Sequence, residues 1–183
     1  MTTSRKDFFK KVCLTGACIC GFPSLVEPVV AKGNNDENEG PQMEQKWLAD
    51  LLNNIAGIED EEISRKLIKP CAINHYSQLH MDEFLAPYEG RLDAFKQFIE
   101  KEWGWKIDYQ KEKGFLLADE NKNYCVCPVI KPDKGGKTPA LCYCSEGFAE
   151  LMFSKVAGQK VDAKVISSIH RGDSHCVYMI TFS

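Results

Sequence analysis

The sequence predicts an α+β domain: N-terminal helices packed on an antiparallel meander sheet, with a late helix and a C-terminal β-hairpin. Three observations carry this. Apolar residues recur at helical spacing as far as Trp103. From Trp105 the period changes to two, the repeat of a half-buried strand. A second helical stripe after Cys144 leads into two alternating runs that close the chain. Elements segregated in this way mark an α+β fold rather than the strict alternation of α/β.

Each element has its own signal. Trp47, Leu48, Leu51, Leu52, Ile55 and Ala56 trace a first helix that stops at Gly57. A second has Glu59 to Glu62 in its first turn and Arg65, Lys66 and Lys69 in its last, matching the helix dipole, and Pro70 ends it or starts the next. Leu92, Phe95, Phe98, Ile99 and Trp103 trace a third after Gly90. Trp105, Ile107 and Tyr109 alternate, and Gly114 to Ala118 and Tyr124 to Ile130 read as further strands. Beyond a turn-rich link at 131–139, Leu141 to Cys144 leads to a helix with Ser145 as N-cap, Phe148, Leu151, Met152 and Val156 as buried face, and Gly158 as stop. Val161 to Ile169 and Cys176 to Phe182 close the chain, joined by a loop whose Gly172 and Asp173 suit a turn.

The first 31 residues read as an export signal. Ser4-Arg5-Lys6-Asp7-Phe8-Phe9-Lys10 resembles the twin-arginine motif with Lys6 as second basic residue, and an uncharged stretch runs from Val12 to Val26. That stretch is shorter than the ~20 apolar residues of a membrane span. Cleavage after Val29-Val30-Ala31 would release a periplasmic or otherwise exported protein; lipidation at Cys18 would anchor it as a lipoprotein. Any membrane contact is thus expected through the signal or a lipid alone. Residues 32–42 (KGNNDENEGPQ) read as a flexible tether, and 43–183 as a single domain.

Residues 1–31 carry Arg5, Lys6, Lys10 and Lys11 against Asp7 and Glu27; setting them aside leaves 19 basic and 24 acidic residues, a formal charge of −5. No basic stripe remains, which argues against a nucleic-acid partner. The chain holds nine cysteines, six of them in the domain, where Cys125/Cys127 and Cys142/Cys144 form C-x-C pairs beside Cys71 and Cys176. On a strand, two residues span roughly 6.6 Å and share a face, so a C-x-C pair can offer both sulfurs to one soft ion. Cys125, Cys127, Cys142, Cys144 and Cys176 are therefore expected to converge, as ligands for zinc or an iron–sulfur cluster, as disulfide partners, or as plain buried thiols. Cys71 and His75, spaced i and i+4, are candidates for a nucleophile–base pair.

The order Cys127-Pro128, Cys142, the following helix, Gly158, a Val-rich strand, and Gly172-Asp173-Ser174-His175-Cys176 resembles the C-terminal half of 4-vinyl-reductase-type ligand-binding domains. It equally resembles the family of L-2-amino-thiazoline-4-carboxylic acid hydrolases; the likeness covers about residues 105–183. It implies either a domain binding a small organic ligand or a hydrolase of a small cyclic, thiazoline-carboxylate-like substrate using a cysteine or bound metal. Some vinyl-reductase-type sensors hold a structural zinc through cysteines matching Cys142 and Cys176, with a Glu and a Cys on the intervening strand. Here those positions are Val165 and Ser168. The expectation favoured is an exported small-molecule-binding domain whose cysteine cluster is structural metal or redox active.

Overall fold

The fold is seen in a computed structural model that describes residues 39–127, 129 and 137–182. The expected signal at 1–31, with Cys18, lies outside the described residues, as do positions 32–38 of the tether. The chain divides into two compact units, Met1–Glu44 and Gln45–Ser183. Only the opening turns of helix α1 (Glu39–Ala56) are described in the first unit. That helix starts inside the stretch read as tether. In the second unit its buried side is narrower than the six-residue stripe suggested. Leu52 is buried, with Leu48 and Ile55 packed against the same cluster, whereas Trp47 and Leu51 stay exposed.

Helix α2 (Glu61–Ile68) is capped by Asp60, whose Oδ1 accepts from the Glu62 amide at 2.9 Å. Ser64, 3% exposed, donates to the Ile55 carbonyl at 2.9 Å, beside the Ile58 amide at 3.1 Å, and so ties α2 to the end of α1. A 3-10 turn at Lys69–Cys71 contains Pro70 and passes into α3 (Ala72–Gln78). α4 (Met81–Leu85), which no sequence signal announced, then leads to α5 (Leu92–Phe98), continued by a π-helical turn at Ile99–Trp103.

Four strands follow: β1 (Lys106–Gln110), β2 (Phe115–Asp119), β3 (Val161–Ser167) and β4 (Val177–Phe182). All neighbours are antiparallel in the order β1-β2-β4-β3. The class is α+β as expected, but β4 inserts between β2 and β3 rather than meandering outward. Leu116, Ala118, Tyr178, Ile180, Val161, Ala163 and Val165 form the buried face. They share one core with Ala149, Met152, Phe153 and Val156 of α6 (Cys142–Ala157). A second cluster gathers Leu52, Ile68, Ala72, Ala140, Leu141, Tyr143 and Cys144.

Two expectations are corrected. Tyr124 to Cys127 is not a strand. Asp119 Oδ1 accepts from the Asn121 amide at 2.6 Å and Asn121 takes φ 51°, so the chain turns out of the sheet after β2. Nor is Ser145 the N-cap of the late helix. Pro139 opens a 3-10 turn at Pro139–Leu141 that runs into α6, which puts Cys142 and Cys144 in its first turn and Ser145 inside the helix rather than at its cap.

α6 lies along the open edge of β3 and closes it with side chains. Glu146 Oε1, Glu150 Oε2 and Ser154 Oγ accept from the amides of Val165, Ala163 and Val161 at 3.0, 3.4 and 3.1 Å. Four helical residues rise about 6 Å and two strand residues about 6.6 Å, so acceptors at i, i+4 and i+8 keep step with alternate amides. Gly147 lets α6 touch the Lys69–Cys71 turn: a Cβ there would lie 2.4 Å from the Lys69 carbonyl oxygen and 2.7 Å from Ala72 Cβ.

Gly147→Ala is expected to lower stability by about 1–3 kcal/mol in urea denaturation, because backbone must move to admit one methyl. Glu146→Leu should cost about 3–5 kcal/mol, since it strips a buried partner from both Arg65 and the Val165 amide. Glu146→Gln, which keeps the acceptor, should cost clearly less; equal losses would show that charge alone matters.

Candidate functional site

Two regions carry chemistry. The first is the group of thiols where β2 and β4 meet the start of α6. The β2–β4 register sets Asp119 against Val177, and it continues one step, with the Glu120 amide donating to the Cys176 carbonyl at 3.0 Å. Glu120 and Cys176 therefore follow the parity of Ala118 and Tyr178 and face the core. The Tyr178 hydroxyl donates to Glu120 Oε1 at 3.1 Å, both side chains being buried. Cys142 donates its S–H to Ser168 Oγ at 3.2 Å, and Ser168 also caps the 3-10 turn Ile169–Arg171 by accepting from the Arg171 amide. Gly172, at φ 100°, and Asp173, whose carboxylate accepts from the Ser168 amide at 2.7 Å, shape the turn as expected.

Cys125, Cys142 and Cys176 lie near enough that ionised Cys125 or Cys142 would raise the pKa of Cys176. Cys127 is similarly raised by Cys125, Cys144 and Cys142, and Cys144 by Cys71 and Cys142. In each case burial is the larger cause. It pushes Cys127 and Cys176 up to about 12, Cys144 up to about 11, and Cys125 and Cys142 upward as well. All six described cysteines are free thiols. Cys142 joins the main core, whereas Cys144, with Cys127 packed against it, belongs to the second cluster.

Among the described residues no three His, Cys, Asp or Glu side chains are grouped to hold a metal ion. Cys127 and Cys176 are not poised as nucleophiles: a thiol of pKa near 12 is ionised only about once in 10⁵ molecules at pH 7.

Cys71 and His75 do not form a pair. Cys71 is exposed in the 3-10 turn, its thiol 3.8 Å from the Leu67 carbonyl. His75 in α3 packs on Phe148 with ring centroids 4.6 Å apart and planes tilted by 37°, and among the described residues neither ring nitrogen has a hydrogen-bond partner. Burial lowers its pKa.

The second region is a cavity of about 680 Å³ beside the side-chain ladder on β3, walled by α2, the Lys69–Cys71 turn, α6 and β3. Arg65 crosses its end. Arg65 Nε donates to Glu146 Oε2 at 2.8 Å, and its guanidinium lies 4.8 Å from the Tyr143 ring, which Arg171 approaches at 5.4 Å. Lys69 pairs with Glu150 at 2.6 Å and Asp162 at 3.4 Å, and reaches the Ala163 carbonyl. Pro70, Ala72, Ile73, Gly147 and Leu151 supply an apolar floor.

Sequence reasoning passed over Glu120 and Glu146. The signal was present: Glu120 continues the Leu116–Ala118 parity, and Glu146 falls between Cys142 and Ala149 on the apolar stripe of α6. An acid on a buried stripe must be partnered, and both are.

The chain belongs to a family of unknown function (DUF6144), which matches residues 26–183. No curated protein matches it. Among solved structures it is similar to a trafficking protein particle complex subunit 3 from Naegleria fowleri covalently bound to palmitic acid, with 12% identity and a TM-score of 0.40 over 78% of this chain and 96% of that one. No helix among the described residues is long and apolar enough to cross a membrane.

Alkylation of the native protein at pH 8, mapped by mass spectrometry, should modify Cys71 well before Cys142, Cys144 or Cys176; equal rates would show the latter thiols to be accessible. Acid should weaken the fold through His75. Its folded pKa lies below the unfolded value of about 6.5, so the unfolded chain binds the proton first and stability falls as pH drops below that value. His75→Phe is expected to flatten the fall in denaturation midpoint between about pH 6.5 and 5.

Proposed function

We propose that this is an exported domain that binds a small organic molecule in the cavity at the β3 edge without consuming it. The cavity carries the proposal: it has an apolar floor, a few fixed polar groups and the size of a small-ligand site. The buried thiols serve as a structural cluster rather than as nucleophiles. Burial keeps them protonated, and a protonated thiol attacks poorly.

The order of Cys142, Gly158, Gly172-Asp173 and Cys176 supports a place among 4-vinyl-reductase-type ligand-binding domains or thiazoline-carboxylate hydrolases. The hydrolase reading lacks support from the pair it would need, since among the described residues the His75 ring bonds nothing while Cys71 contacts the Leu67 carbonyl. Export rests on Arg5-Lys6 followed by Phe8-Phe9.

A panel of small heterocyclic and alicyclic compounds should contain some that raise the melting temperature and are recovered unchanged, because a ligand that binds only the native state stabilises it by mass action. Turnover of a thiazoline carboxylate, abolished by Cys71→Ala or His75→Ala with the fold intact, would replace this reading with the hydrolase. Replacing Arg5 and Lys6 by Gln should retain the protein in the cytoplasm; unchanged fractionation would remove the export proposal.

A further inference from the structure

We infer that the ligand of this cavity is a carboxylate with a compact apolar body, its charge received by Lys66 and Lys164. The inference rests on the binding role proposed above and names its chemical class. Seven charged side chains line the cavity: Arg65, Lys66, Lys69 and Lys164 against Glu62, Glu150 and Asp162. Every acid among them is already engaged. Glu62 pairs with Arg65, and Glu150 and Asp162 both pair with Lys69. The buried Glu146 takes the Arg65 Nε donor. Lys66 and Lys164 alone among the lining charges form no ion pair within the described residues.

A cation on the ligand would therefore find only carboxylates that each already face a cation, Glu62 on Arg65 and Glu150 and Asp162 on Lys69. An anion finds two ammonium groups, with three donors each, that give up only water. They line the cavity from different elements, Lys66 from the last turn of α2 and Lys164 from β3. The apolar partner is present as well. Ile73 lines the same cavity yet is 52% exposed, and Leu151 is half-buried beside it. Among the described residues no aromatic ring lines the cavity, so an aliphatic body fits its floor better than a stacking one.

The test compares cyclohexanecarboxylate with its neutral near-isostere cyclohexanecarboxamide on the full chain, by titration of amide NMR signals at low salt. The carboxylate should shift the signals of Ile73, Gly147 and Leu151 and bind roughly tenfold more tightly than the carboxamide, with the gap closing as salt screens the lysines. The double variant Lys66→Gln, Lys164→Gln should erase that gap while its melting temperature without ligand stays unchanged. Equal affinity for both compounds, or a gap that survives the double variant, overturns the carboxylate inference and leaves the cavity a binding site. Binding of neither compound at millimolar concentration also overturns it. If the wider panel of neutral compounds likewise leaves the melting temperature unmoved, the binding role falls with it.

Discussion

The three side-chain hydrogen bonds from α6 to β3 are the constraint on which the rest of this fold depends. An edge strand with three unpaired amides would be open to another chain and costly to cover with apolar side chains. Here the covering helix brings its own acceptors. Glu146, Glu150 and Ser154 stand in for the strand that would otherwise pair with Val165, Ala163 and Val161. Two of the acceptors are carboxylates and must be balanced. Arg65 and Lys69 reach across from α2 and the following turn to do so. The N-terminal helices are thus tied to the sheet through α6 by charge as well as by apolar contact.

The same constraint makes the cavity. Side-chain bonding holds α6 alongside β3, and the contact of Gly147 with the Lys69–Cys71 turn fixes the spacing of the N-terminal helices above it. Lys69, Glu150 and Asp162 then stand around the remaining space because the ladder needs them there. A site built this way is largely pre-formed, since its polar walls are structural groups already committed to one geometry.

Much of the fold was legible in the sequence. Helical stripes, the change of period at Trp105, Gly158 as a helix stop and the Gly172-Asp173 turn each reflect a local preference of the chain. The cysteine geometry was not legible, because it turned on a single element type. A C-x-C pair shares a face only on a strand. In the first turn of α6 residues two apart point about 200° away from each other, since each step turns about 100°. Cys142 accordingly joins the main core and Cys144 the second cluster. What decided helix over strand was Pro139, whose fixed φ opens a 3-10 turn and starts the helix early. The cavity charges were equally hidden, because Lys66 and Lys164 differ from Lys69 only in what the fold sets opposite them.

α6 therefore links three structures that the sequence keeps apart: the thiols in its first turn, the ladder along its middle, and the cavity against Gly147 and Leu151. Phe148 and Leu151 pack against both apolar clusters, so the helix is a shared wall rather than a surface cover. Sliding it along β3 would break three hydrogen bonds at once and bring no new register until four residues, about 6 Å, had passed. Intermediate positions would leave the Val165 amide and the fully buried Glu146 carboxylate without their partners. Each such orphan costs on the order of 1–3 kcal/mol, and more when charged. The helix is accordingly a rigid spine. An occupant of the cavity must fit the space that α6 leaves, because the helix has no neighbouring position to yield to.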